Sequence, residues 1–384
     1  MDFSPTAEQA AWRERVVAFA RAELNQDLAD RDRTETFDPG NWKKCAQLGL
    51  LGWNVPEQYG GRGRDILTAV LLMEALGYGC RDNGLTLAVN AQVWTIQEPL
   101  LTFGSEAQKH RYLPRLCSGE ILAADAVTEE GAGSDALGMA TTARKTADGY
   151  VLDGRKTLIG MAPVADLALV FAKTDPAAGQ WGISAFLVEK GTPGFTATAR
   201  LSKAGLRTIP MGGFEFSGCL VPEACRLGAE GVGLSMFNST MEWERSFILA
   251  SHVGAMARQL DDCVAHARTR EQFGRSIGSF QSVSNRIADM KVRLETARLL
   301  LYKLAWMKAQ SQPAALEAAI AKLYLSECFV DSSLDAVRTH GGVGYLSERG
   351  VERDLRDALG GVIYAGTSDI QRNLIARLLG LQVS

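Results

Sequence analysis

The sequence predicts an α+β fold in three successive parts: helical at residues 1–120, sheet at 121–228, and helical again at 229–384. Three observations carry this. Near the start, apolar residues recur at helical spacing between Gly and Pro punctuation. In the middle, short apolar runs alternate with turn residues, the pattern of a sheet. Towards the end, a seam of alternating four- and three-residue steps runs through a long segment.

The first helix starts at Pro5 and Thr6 and is expected to carry Ala11, Val16, Val17, Phe19 and Ala20 on its apolar side. Gly60-Gly61 breaks the chain, and Ile66 to Leu76 resumes the helical pattern. In the middle part Leu167–Ala172 and Ile183–Val188 read as strands, while Phe214 and Phe216 stand at period two. Val283, Ile287, Met290, Leu294, Ala297, Leu301 and Leu304 form the seam, which predicts one long helix facing a bundle core or a subunit interface. Ala314 to Ala321 is Ala-rich but still helical.

The 384 residues suffice for two or three domains and a large core. With 46% hydrophobic and 22% charged residues the composition is that of a globular protein. The 41 Lys+Arg against 44 Asp+Glu leave a net charge of −3, without the basic excess of a nucleic-acid binder. The seven cysteines lack CxxC spacing and the four histidines stand singly, so neither a disulfide framework nor a metal site is expected. The N-terminus does not read as a secretion signal, and no apolar run reaches the ~18 residues of a membrane span. A cytoplasmic protein with free cysteines and no membrane partner is the expectation.

Three stretches carry chemistry. Ala126-Val-Thr-Glu-Glu-Gly-Ala-Gly-Ser-Asp135 offers small residues for close backbone approach, with N–H and hydroxyl donors for an anion; its plain alternative is a tight turn. Arg268-Thr-Arg-Glu-Gln-Phe-Gly-Arg-Ser-Ile-Gly-Ser-Phe-Gln281 combines arginines, an aromatic and glycines, suited to phosphate contact and ring packing, or else is a solvated helix connection. His340-Gly-Gly-Val-Gly-Tyr345 is followed by Ile363-Tyr-Ala-Gly-Thr-Ser-Asp-Ile-Gln-Arg372. Its Gly-Gly-x-Gly lacks the strand–loop–helix context of a dinucleotide fingerprint.

In this order and spacing the three stretches resemble the acyl-CoA dehydrogenase family, over essentially the whole chain from the Phe3/Glu8 segment to Gln371-Arg372. The resemblance implies an N-terminal α-helical domain, a middle β-barrel and a C-terminal four-helix bundle. It also implies non-covalent FAD at a homo-oligomer interface, usually in a tetramer. Thr128 and Ser134 match positions that contact the flavin and its pyrophosphate. Arg270 and Phe273 match positions that hold the FAD of a partner subunit. Gly341, Gly342 and Thr367 match those that complete the nucleotide end.

Four positions depart from the family pattern. The usual catalytic glutamate is replaced by Ala365, which cannot accept a proton. A minority branch of the family carries its base just before an arginine in the helix after the barrel, and Glu244 precedes Arg245 in the matching place. Glu242 competes, but two residues along a helix are about 200° apart, so only one of the pair can face the flavin. The bland alternative is that both glutamates merely favour a helix N-terminus. Leu158 stands where an aromatic usually covers the flavin ring, and Gly160 where a hydroxyl usually hydrogen-bonds near N5, which should alter reactivity toward oxygen. Arg338 replaces a common glutamine before the Gly-Gly turn and can still contact phosphate.

The resemblance therefore implies α,β-dehydrogenation of an acyl thioester, with Glu244 taking the α proton and the β hydrogen leaving as hydride to flavin N5. Arg245, Trp243 and Gly366 are expected around the substrate, with Trp243 and Met241 as an apolar wall. The acyl group rides on coenzyme A or on a carrier protein. Leu76–Gly84 and Asn90–Trp94 look like biosynthetic members of the family, for which prolyl carrier-protein dehydrogenases are the comparison. The electron acceptor is a flavoprotein or oxygen. A flavin oxidase or N-oxygenating enzyme on the same fold, or a non-catalytic member, are the alternatives.

Overall fold

The computed structural model describes residues 4–382; Phe3 lies outside the described residues. The helices before the sheet are α1 (Ala7–Glu23), α2 (Leu28–Arg33), α3 (Pro39–Leu48), α4 (Ile66–Gly79), α5 (Asn83–Ala91), α6 (Glu98–Phe103) and α7 (Glu106–Cys117), with a π-helical segment at Gln92–Gln97. Thr6 caps α1 in a reciprocal box with Gln9. Val16 and Ala20 are buried and Trp12, Val17 and Phe19 pack beside them, whereas Ala11, expected on the apolar side, is exposed. Trp12, set 100° around the helix from Ala11, meets Trp53 edge-on at 4.8 Å between ring centroids.

The sheet comprises β1 (Ala123–Ala126), β2 (Thr142–Thr146), β3 (Gly149–Gly160), β4 (Leu167–Lys173), β5 (Ile183–Glu189), β6 (Phe195–Ala197), β7 (Met211–Val221) and β8 (Arg226–Leu227). The strand order is β6-β7-β3-β2-β4-β5-β8, and β1 runs parallel to β4 along the rest of its edge. The β2–β4 pairing is the single register pair Thr142–Lys173, so two four-stranded halves meet at β4. That strand is buried on both faces, which is why its sequence is an unbroken apolar run rather than an alternation. Leu167, Leu169 and Phe171 pack with Leu100, Tyr112, Leu113 and Leu116 of the helices. Ala168, Val170 and Ala172 face the main core with Tyr150 and Leu152. Phe214 and Phe216 both lie against Phe195, with centroids 5.0 and 5.2 Å away.

After the sheet come α8 (Gly233–Phe247), α9 (Ala250–Thr269), α10 (Gln281–Ala309), α11 (Ala315–His340), α12 (Val351–Gly361) and α13 (Ser368–Leu378), with a hairpin of β9 (Glu271–Gln272) and β10 (Arg275–Ser276) between α9 and α10. Helix α10, at 29 residues, is about 43 Å long. Along its seam Met290, Leu294, Ala297, Leu301 and Leu304 are buried, while Val283 and Ile287 are half-buried. Helix α9 runs against α4 from the first helical part at a distance only glycine permits. A Cβ on Gly77 would stand 1.8 Å from the Ser251 carbonyl oxygen, and one on Gly254 would stand 1.9 Å from that of Glu74. The bundle and the first helices therefore share one core, and α8 runs between it and β5. No described helix is long and apolar enough to cross a membrane, and no cluster of His, Cys, Asp and Glu among the described residues could hold a metal. All seven cysteines are free.

Candidate active site

Helix α8 presents Glu242 and Glu244 in its C-terminal half, so attraction to a helix N-terminus does not explain them. Their roles separate by geometry. Glu242 pairs with Lys308 of α10, whose ammonium lies 4.5 Å from the centre of the Trp243 ring. Trp243 in turn stacks on Trp94, at 6.1 Å and 2° between planes, which builds an apolar wall. Met241 is buried nearby in the core. Glu244 points elsewhere and makes no hydrogen bond or ion pair among the described residues. Burial pushes its carboxyl up to about 7, against the opposing charges of Arg245 and Lys322.

The facing wall is the turn between α12 and α13. Ala365 (φ +57°) and Gly366 (φ +84°) are both left-handed. Gln371 donates from Nε2 to the carbonyls of Ala365 (3.1 Å) and Gly366 (3.0 Å), and Lys322 Nζ donates to Gly366 O at 2.6 Å. A Cβ on Gly366 would come 3.9 Å from Arg245 Nε, a buried atom without a hydrogen-bond partner. Glu244 also acts electrostatically on Tyr364, whose hydroxyl is held well above its ordinary range chiefly by burial. Arg245 thus lies beside Gly366, and Glu244 acts on Tyr364, the residue before Ala365, and on Lys322, which holds the Gly366 carbonyl. Lys322 belongs there too and was not singled out in the sequence. Its signal was a lone charge on the buried face of α11, three and four residues from buried Leu325 and Ala318.

The loop after β1 is tied to β3. Thr128 O accepts from Thr157 N (2.9 Å), and buried Lys156 reaches Val127 O and Glu129 Oε1, each at 2.9 Å. Glu129 also accepts from Thr141 and from the Ala140 amide, so burial notwithstanding its carboxyl is held below its usual range. A register shift between Lys156 and Ile159 turns Leu158 outward, at φ +56° and 57% exposure. A left-handed leucine is uncommon and marks a position shaped for something other than folding. Gly160 has room, since an added Cβ would meet only Ile209 Cδ1 at 3.6 Å. Ser134 is exposed, and Cβ atoms on Gly131 or Gly133 would meet nothing within 4 Å. Thr128 and Leu158 are thus brought next to one another through Thr157, while Ser134 and Gly160 have open space around them.

The remaining candidates lie elsewhere on the chain. Arg270 and Phe273 sit on the β9–β10 hairpin, with Phe273 93% exposed at the tip, and no hydrogen bond or ion pair among the described residues joins them to Thr128 or Ser134. Gly341 and Gly342 face open space. Arg338 contacts Asp335 (3.4 Å), which also binds Arg293 (2.6 Å) and Arg286 (3.6 Å), so three guanidinium groups share one carboxylate and leave positive charge for an anion. Thr367 caps α13, accepting from Ile370 N at 3.2 Å. These features fit FAD: open backbone at Gly131 and Gly133, an outward Leu158, three guanidinium groups on one carboxylate and an aromatic exposed at the hairpin tip.

Comparison with known proteins agrees. The chain matches the family models for the acyl-CoA dehydrogenase N-terminal domain at residues 6–120, the middle domain at 124–219 and the C-terminal domain at 231–380. It is 44% identical over 351 residues to an L-prolyl-[peptidyl-carrier protein] dehydrogenase of Pseudomonas fluorescens, covering 91% of this chain and 92% of that one. A Serratia protein of the same name is 41% identical over 382 residues, covering 100% and 99%. Among solved structures, the prolyl acyl carrier protein oxidase AnaB superposes with a TM-score of 0.97 at 47% identity, covering 98% of this chain and 100% of that one. PigA, solved with FAD and proline, gives 0.96 at 41%, covering 99% and 100%. The chain belongs to the acyl-CoA dehydrogenase family.

Proposed function

We propose that the chain is an FAD-dependent dehydrogenase that introduces an α,β double bond into a prolyl or similar aminoacyl thioester on a carrier protein, within a biosynthetic pathway. The observation that carries the reaction type is Glu244, a half-buried carboxyl without an ion pair among the described residues, raised to about 7 by desolvation. The carrier and the acyl class are supported by the names of the Pseudomonas and Serratia relatives and of AnaB.

Thr128, Ser134, Leu158 and Gly160 would hold the flavin end of FAD, and Gly341, Gly342, Arg338 and Thr367 its nucleotide end. Arg270 and Phe273 would serve the site of a partner subunit. Bound FAD supplies the acceptor for the β hydrogen, which leaves as hydride. Glu244 receives the α proton, which the thioester carbonyl acidifies. The backbone N–H groups of Ala365 and Gly366 make no hydrogen bond among the described residues and are the donors available to the thioester oxygen as it gains charge. The Trp243–Trp94 stack supplies apolar surface one residue along α8 from Glu244, and desolvation raises the affinity of Glu244 for a proton. Arg245, with its unpartnered Nε beside Gly366, orients the acyl group.

The exposed hairpin supports a homotetramer in which each FAD lies between subunits. We also read three domains, at 1–120, 121–228 and 229–384, and a cytoplasmic location. Electrons leave to a flavoprotein or to oxygen. Neither the N-oxygenating nor the non-catalytic alternative is favoured, because the pocket retains a base and these relatives are named for oxidation of a carrier-bound prolyl group. Anaerobic mixing with a panel of acyl-CoA and acyl-carrier thioesters tests the reading. Prolyl-carrier protein should bleach the flavin, and a panel without any bleaching overturns the proposal.

A further inference from the structure

We infer that Asp125 receives the basic nitrogen of the acyl group, so that this site selects an aminoacyl thioester over a plain acyl one. Asp125 lies in the middle of β1, paired in register with Leu169 and flanked by Ala124 and Ala126. Those two alanines belong to the main core, so strand alternation sends Asp125 to the opposite face. Its Oδ1 is buried and has no hydrogen-bond partner. An orphaned carboxyl oxygen costs stability, and a strand with alanine on both sides has no structural need of it.

The neighbouring charges say what is missing. Two groups act on Asp125: Glu244, which repels its charge, and Lys156, which attracts it. Lys156 is already committed, at 2.9 Å to Glu129 Oε1 and 2.9 Å to Val127 O. The two carboxyls belong to elements that meet at the π-helical segment: β1 is tied to it by Ala123 N donating to Gln92 Oε1 at 3.1 Å, and Trp243, next to Glu244, stacks on its Trp94. Neither carboxyl has an ion pair among the described residues, and burial raises both. A cation placed between them removes the conflict. In an α-aminoacyl thioester the ammonium nitrogen is bonded to the carbon that gives up its proton. Asp125 can then hold the nitrogen while Glu244 addresses the α hydrogen, and the positive charge further acidifies that C–H. Asp125 is thus a specificity residue and Glu244 the base.

This inference rests on the thioester-dehydrogenase reading above, and the experiment separates the two. Two unreactive carrier-linked amides serve as probes, prolyl amide and its carbocyclic analogue cyclopentanecarboxamide, with binding measured by calorimetry. Flavin bleaching is followed in parallel with the corresponding thioesters. The parent enzyme should prefer prolyl in both readouts, and Asp125→Asn and Asp125→Ser should cut that preference at least tenfold. Because each preference is a ratio within one protein, partial misfolding or flavin loss does not alter it. Unchanged preference in both variants overturns the role of Asp125 and leaves the dehydrogenase standing. A parent enzyme that bleaches with the cyclopentane thioester but not the prolyl one overturns the inference and the aminoacyl reading together.

Discussion

Glu244→Gln keeps the shape and hydrogen-bonding capacity of the side chain but cannot accept a proton. Loss of a general base costs about 10²–10⁴-fold in rate. The upper end is expected here, because Glu242 is held by Lys308 and position 365 carries only a methyl. Stopped-flow reduction of the flavin by a thioester measures the step directly, while the dissociation constant should stay within a few-fold of the parent's. In the parent, reduction should rise with pH through about 7, the value to which burial brings Glu244, and this rise should vanish in the variant. The same shift has a stability consequence of known sign. A carboxyl raised from 4.5 to about 7 on folding contributes stability that is fully present below pH 4.5 and is lost as pH rises through 7. A shift of this size is worth roughly 3 kcal/mol. Glutamine carries no such loss, so between pH 4.5 and 8 the flavin-free variant should gain about that much on the parent in chemical denaturation. Flavin reduction at the parental rate in Glu244→Gln would refute the assignment of the base.

Glu242→Gln should reduce its flavin nearly as fast as the parent, since this carboxylate is turned to α10; a loss comparable to that of Glu244→Gln would reverse the two roles. Glu244→Gln combined with Ala365→Glu moves the carboxylate to a neighbouring backbone site already left-handed with a side chain in place, and should recover part of the lost rate. No recovery would separate the two positions. Arg270→Ala and Phe273→Ala should lower flavin content while leaving flavin-free thermal stability unchanged, because Phe273 is 93% exposed; full flavin content in both would remove them from the site. Light scattering should give a tetramer, and a monomer with one FAD per chain would contradict the shared site. Gly160→Ser places its Cβ without a clash and should slow reoxidation of the reduced flavin in air by restoring a hydroxyl donor near the flavin, an effect absent if Gly160 lies away from the ring.

The parts of the fold legible in the sequence are those where a residue's face has a large energetic consequence. The run from Leu167 to Ala172 is apolar at every position because both faces of β4 are buried, and the seam of α10 repeats because a long helix drifts out of its groove otherwise. Alanine carries little such signal. Ala11 costs nothing on either face, and it lies in solvent while Trp12 turns inward. The meeting of the sheet halves through a single Thr142–Lys173 pair was also hidden, since it depends on strand register rather than on hydrophobic pattern.

The site divides in the same way. Glu244 could be found because two independent signs converge on it, an arginine following it and an alanine at the usual base position. Asp125 had neither, as it stands one residue before the motif that begins at Ala126. Its signal was energetic instead: a carboxyl set among alanines in a strand, with one oxygen sealed from water and no basic residue following at a spacing that could neutralise it. The cost becomes visible only when the fold commits Lys156 to Glu129 and leaves Glu244 as the other charge acting on Asp125. A buried charge whose natural partner is already engaged is paired by folding elsewhere, by a proton, or by the substrate. The first is absent among the described residues, and the second would leave a strand paying for an acid with no use. Substrate pairing alone gives the position a function, and it predicts that selectivity and catalysis reside on two different carboxyls that can be removed separately.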